Sequence, residues 1–160
     1  MAPAYPTADE IHKVFDSLAS GDLKTFFSHV DDNVDWRIMG HSPMSDHYHD
    51  KADFQKRTLG VLNDNVLKEP LRVYVVNVQG GGESDQAAVE LKADSVCRNG
   101  ECALFLAVNG FLLIHGSGTT GLKYDMTYCW VLKFNTDRQI ERVRAYIDTD
   151  LLTRAINEIK

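Results

Sequence analysis

A chain of 160 residues with 44% apolar and 25% charged side chains is the size of one folded domain with a full hydrophobic core. A net charge of −6, with no Lys/Arg run or basic stripe, speaks against nucleic acid or an anionic membrane as partner. The opening MAPAYPTADEIHK has no basic segment followed by an apolar core, and the longest apolar stretch, around 102–114, is short and interrupted by Asn109-Gly110. Neither a signal peptide nor a bilayer span is expected, and a cytoplasmic location is.

In chain order, Thr7-Ala8-Asp9-Glu10 is a capping box, in which the Thr hydroxyl takes a free helix N–H and Glu10 reaches back. Ile11, Val14, Phe15 and Leu18 follow at helical spacing, and Gly21 ends the run. A second short helix opens at Asp22 and presents Leu23, Phe26, Phe27 and Val30. Val34 to Met39 predicts a strand containing Trp36, and Asp50 caps a third helix with Phe54, Val61 and Leu62 inward. After Pro70 come a strand over 71–78, a turn at Gly80-Gly81-Gly82, a long hairpin with arms 88–98 and 122–134, and a last strand over 139–147. Asp148-Thr149 then caps an amphipathic helix carrying Leu151, Leu152, Ala155, Ile156 and Ile159. Helices first and antiparallel strands later predict an α+β fold: a curved antiparallel sheet of about four to six strands, covered on one face by the N-terminal helices.

The hairpin is interrupted at its tip. Asn99-Gly100, the strongest two-residue turn signal, follows the first arm, yet the second arm starts only at Leu122. Residues 101–121, ECALFLAVNGFLLIHGSGTTG, lie between. Deleting them leaves Arg98-Asn99-Gly100-Leu122-Lys123, a complete turn, so 101–121 is expected to be an insertion into a single domain spanning 1–160. Two origins fit: an apolar lid over the mouth of the fold, or a translated intron, since its ends fall at the codons of Gly100 and Gly121.

Cys97, Cys102 and Cys129 form an odd set without a CxxC. A Cys97–Cys129 disulfide across the hairpin is conceivable, but small thiols in a reducing compartment account for them better. His47-Tyr48-His49 would set two imidazoles on one strand face, yet no third ligand is spaced to match, so no metal is expected.

The strings LASGDLKTFFSHVDDNVDW (18–36), GHSPMSD (40–46) and FNTDRQIERVRAYIDT (134–149) resemble the cone-shaped fold shared by nuclear transport factor two, ketosteroid isomerase and the SnoaL-like polyketide cyclases. The resemblance covers nearly the whole chain outside 101–121. It implies a greasy polycyclic substrate inside the cone and a homodimer formed through the convex sheet face; enolisation next to a carbonyl needs only a base, an oxyanion donor and a dry pocket, so no cofactor is expected. Matching residue by residue, the steroid isomerase's oxyanion-hole tyrosine falls on Val14, its general-base aspartate on Arg37 and its protonated aspartate on Trp130. With all three groups replaced, ordinary steroid isomerisation is excluded. The lack of an Arg-x-Asp pair in 124–134 speaks against epoxide hydrolysis.

On that frame, strand parity would point Asp35, Arg37, Met39 and His41 into the cone, together with Tyr128, Trp130 and Leu132 and with Val143, Ala145 and Ile147. Such a cavity is apolar with a few convergent polar groups, as small-molecule sites are. His41 is the expected general acid/base, with Arg37 and Tyr128 stabilising an enolate-like oxyanion. Asp35, Met39, His49, Trp130, Leu132, Val143, Ile147 and Asp148 are the expected substrate contacts, and Arg142, Arg144 and Tyr146 face away. Two functions remain: a cofactor-independent isomerase or cyclase acting on a polyketide- or terpenoid-like molecule, or a non-catalytic ligand-binding or scaffold protein of the same fold.

Overall fold

The structure is a computed structural model describing residues 3–98 and 122–157. The capping box forms at the start of helix α1 (Ala8–Ser20): Thr7 Oγ accepts the Glu10 N–H at 3.3 Å, and Glu10 accepts the Thr7 N–H at 2.8 Å. Gly21, at φ 81°, ends α1 in the left-handed conformation that glycine adopts without steric cost. Asp22 caps α2 (Leu23–Ser28), and Ile11, Phe15, Leu18, Phe26 and Phe27 of the two helices are buried.

Six strands follow: β1 (Val30–Ile38), β2 (His47–Tyr48), β3 (Val73–Gly80), β4 (Gln86–Val96), β5 (Lys123–Phe134) and β6 (Ile140–Ile147). Their spatial order is β2-β1-β6-β5-β4-β3. From β3 to β6 they form an antiparallel meander, but β1 pairs β6 in parallel, from Val30↔Ile140 to Ile38↔Ala145. The curved sheet is therefore mixed, where only antiparallel pairing was expected. Helix α1 packs on β3 and a third helical segment packs on β1. That segment departs from the single α-helix predicted after Asp50: α3 spans only Lys51–Phe54, and π-helical turns occupy Gln55–Gly60 and Leu62–Val66. Helix α4 (Thr149–Asn157) closes the end of β5, with Leu151, Leu152 and Ala155 buried; Ile159 lies outside the described residues.

The hairpin arms keep register from Gln86↔Lys133 to Val96↔Lys123, and the Cys97 N–H donates to Leu122 O at 2.9 Å. The expected insertion, 101–121, and the Asn99-Gly100 turn lie outside the described residues. Cys97 and Cys129 are not bonded to each other; Cys129 stands opposite Glu90 and Tyr146, far along the arm from Cys97. No helix among the described residues is long and apolar enough to cross a membrane.

Candidate functional site

Alternation decides which side chains meet inside the sheet's curve. On β5, Tyr124, Met126, Tyr128, Trp130, Leu132 and Phe134 are buried at period two. On β1 the buried set is Val34, Trp36 and Ile38. The β1 phase is thus opposite to the one expected. Asp35 and Arg37 stand on the outer face, because burying the Trp36 indole outweighs anything two charged groups gain inside an apolar wall.

The cone is walled by Leu18 of α1, by Leu23, Phe26 and Phe27 of α2, by Trp36 and Ile38 of β1, and by Tyr124, Tyr128 and Trp130 of β5. Phe54, Thr58, Leu59 and Leu62 of the irregular third helix cover it, and Ala145, Ile147 and Leu152 complete the far side. About 50 Å³ of free volume remains between these side chains. Ligand sites commonly run to roughly 300–1,000 Å³, so a polycyclic guest enters only if the walls part.

The polar atoms in this apolar setting define the site. Trp36 stacks on Phe54 at 3.8 Å between ring centroids and meets Trp130 edge-on at 5.0 Å; Tyr128 lies 6.1 Å from Trp130. The indole N–H groups of Trp36 and Trp130 and the Tyr128 hydroxyl are buried and have no hydrogen-bond partner among the described residues. The Thr58 hydroxyl, by contrast, is engaged with Phe54 O at 2.6 Å. Burial pushes the Tyr124 phenol up to about 12, with the neighbouring Tyr128 pulling it down and Cys97 and Asp148 raising it further. Burial also raises Tyr128 well above the usual phenol range, and the Tyr124 phenol beside it, close enough to interact but outside hydrogen-bond geometry, adds to this. Both phenols are protonated at neutral pH and act as donors.

Of the residues expected at the site, Tyr128, Trp130 and Ile147 line the cone. Leu132 and Val143 lie on the inner face but are packed into the core, outside the cavity lining. Asp35 receives Arg144 at 2.5 Å and His47 Nε2 at 2.5 Å, and the Arg144 hydrogen bond, followed by that of His47, holds its carboxyl below the usual range despite partial burial. Arg37 is exposed and its guanidinium donates to His47 Nδ1 at 3.1 Å. Met39 is half-buried past the end of β1, where its N–H donates to Ala145 O. His41 and His49 are exposed and do not line the cone; the His49 ring rests 3.9 Å from that of His47. Asp148, also exposed, accepts the Leu151 N–H at 3.0 Å as the α4 cap. Among the described residues no His, Cys, Asp and Glu group is arranged to hold a metal ion. Trp36 and Tyr124, like Ile38, Met44 and Thr58, are cone residues that sequence reasoning missed, although the Val34-Trp36-Ile38 alternation carried the signal for the first.

A larger cleft of about 400 Å³ lies between α1, α2 and the β5–β6 turn. Arg138 bridges it to Glu10 at 2.7 Å, and none of the buried unpartnered polar atoms belongs to its walls. The cone is the better candidate.

No family model matches the chain. Over 157 residues, 97% of its length, it is 24% identical to the dimerizing cyclase phiC of a fungal species and 26% identical to the dimerizing cyclase tstC of Talaromyces stipitatus. It spans only 60% of the length of each of these relatives. Among solved structures, an NTF2-like protein of Burkholderia thailandensis superposes with a TM-score of 0.68 at 12% identity, over 98% of either chain. The chain has the nuclear transport factor two-like fold, in the α+β form that the sequence resemblance implied.

Proposed function

We propose that the chain is a cyclase or isomerase of secondary metabolism, acting without a cofactor on a polyketide- or terpenoid-like molecule held in the cone. The observation that carries this reading is the set of three buried donors without partners inside an otherwise apolar cavity. Buried polar groups in folded proteins are nearly always satisfied, so such a cluster is suited to a ligand's acceptors. Aimed at a carbonyl, fixed donors in a dry site lower the cost of the oxyanion that develops during enolisation or ring closure. The two relatives named dimerizing cyclases favour the same class of reaction.

The base is the harder assignment. The ionisable groups among the described lining residues are Tyr124 and Tyr128, and both are held protonated. Asp148 is exposed, as His41 is, but it follows the lining residue Ile147 and its charge reaches Tyr124, which makes it our choice of base ahead of His41. A second reading, a non-catalytic ligand carrier or scaffold, is favoured by this same shortage of bases in the lining. Incubating the protein in D2O with aromatic polyketide and terpenoid ketones, and following exchange at the carbon next to the carbonyl by NMR, separates the two. Exchange or turnover that falls about 10²–10⁴-fold in Asp148→Asn supports the enzyme and its base. Tight binding with no exchange on any ketone overturns the enzymatic reading in favour of the carrier.

We also propose a homodimer through the outer sheet face, where Tyr74, Val76 and Tyr146 are 46%, 62% and 49% exposed. Light scattering at micromolar concentration should give twice the chain mass, and a monomer mass there would count against it.

A further inference from the structure

We propose that the cone selects neutral ligands that present carbonyl oxygens, and that Trp36, Trp130 and Tyr128 are the residues that make the selection. This rests on the reading of the cone as the binding site and adds the chemical class of its occupant.

An indole nitrogen donates and never accepts. Two of the three unpartnered groups, Trp36 Nε1 and Trp130 Nε1, are therefore fixed donors, on rings 5.0 Å apart and nearly perpendicular at 80°. The third, the Tyr128 hydroxyl, stays protonated and stands on the ring next to Trp130. Thr58, a hydroxyl on the covering helix, already donates to Phe54 O, and the Tyr124 phenol, which also lines the cone, is held protonated by burial. The cone thus offers an excess of donors. A ligand hydroxyl or amine arriving there would meet few acceptors, whereas a ketone, quinone or lactone oxygen accepts two donors at once.

Charge is selected against by the same walls. The described lining residues include no Lys, Arg or His, and the remainder is alkyl and aryl surface. A carboxylate entering this cavity gives up its hydration without gaining a cation, a cost that neutral donors offset only in part. A neutral carbonyl on an aromatic frame gives up little and satisfies the donors. The Phe54–Trp36–Trp130 arrangement also presents ring faces and edges for that frame to pack against.

Three naphthalenes of matched size make the test: 2-acetylnaphthalene, 2-naphthoate and 2-ethylnaphthalene, titrated into the full chain by calorimetry at pH 7. The chain has only two tryptophans, and both line the cone, so the two indole N–H resonances in a ¹H–¹⁵N spectrum report on the donors directly. We expect the ketone to bind at least about tenfold tighter than the carboxylate and the hydrocarbon, with an indole resonance moving downfield. Tyr128→Phe should weaken the ketone by about 2- to 10-fold and leave the hydrocarbon unchanged. Equal binding of ketone and hydrocarbon, a preference for the carboxylate, or indole resonances that stay still on saturation would overturn the selection while leaving the cone as a binding site. Failure of all three probes to bind would count against both the selection and the site. The measurements on the unmodified chain stand even where the variant does not fold.

Discussion

Replacing Tyr128 by Phe removes one oxygen and should make the empty protein more stable. The hydroxyl is buried on the inner face of β5 with no hydrogen-bond partner among the described residues. It therefore carries the desolvation penalty of an unsatisfied polar group, about 1–3 kcal/mol, without a bond to offset it. Phe keeps the ring, its edge-on contact with Trp130 at 6.1 Å and the strand alternation, so the void left is smaller than a methyl group. A net gain of about 1–2 kcal/mol follows, or a Tm higher by roughly 2–8 °C for a chain of this length. Urea and thermal unfolding by circular dichroism measure it, with Tyr124→Phe as the control on the neighbouring phenol. A loss of stability of about 1 kcal/mol or more would refute the reasoning, because it would mean that the hydroxyl is bonded in the folded chain. The gain would come with poorer ligand retention, the usual trade where a site is held ready at the expense of the fold.

Alkaline unfolding should be steep. Tyr124 is pushed up to about 12 by burial while an unfolded phenol titrates near 10, so its contribution is intact below about pH 10 and is lost as pH climbs to about 12. The loss is roughly 2–3 kcal/mol, Tyr128 acts in the same direction, and a Tyr124→Phe variant should show a flatter alkaline limb. Asp35 works at the other end: Arg144 and His47 hold its carboxyl low, so its stabilisation is present above about pH 4 and disappears as pH falls through the lowered value. With its side chain 39% exposed, Asp35→Asn should cost below about 1 kcal/mol at pH 7 and flatten the acid limb, as acid titrations by fluorescence would read. A variant lacking 101–121 should fold with the same β4–β5 register, since Cys97 and Leu122 are already hydrogen-bonded neighbours; loss of near-ultraviolet circular dichroism would argue that the segment is needed.

Local chemistry was legible wherever it is short-range. Thr7 and Glu10, the Asp22 and Asp50 caps and the period-two run from Tyr124 to Phe134 are where the sequence says they are. The resemblance supplied the cone. The β1 phase runs opposite to the one the resemblance implies, because the apolar alternation of Val34, Trp36 and Ile38 decides which face is buried and puts Arg37, the match to a catalytic aspartate, on the other. With the phase reversed, Arg37 and Asp35 left the cone and Trp36 entered it. The Asp35–Arg144 pair joins positions on strands over a hundred residues apart, the two-residue β2 is too short to show a period, and π-helical turns have no pattern distinct from an α-helix in Phe54, Val61 and Leu62. None of these is written in neighbouring residues.

The parallel pairing of β1 with β6 sets the order in which the chain can assemble. Strands β3 to β6 find one another through successive antiparallel contacts, but β1 has its long partner only in Ile140–Ile147. On a ribosome, Trp36 emerges early and waits until the last strand has left the exit tunnel. Distant contacts of this kind carry the full entropy of closing the intervening chain, so they form late. The wall that carries Trp36 is thus completed last, and until then the apolar face of α2, which packs on β1, has no finished wall to cover it, a window that favours aggregation of newly made chains.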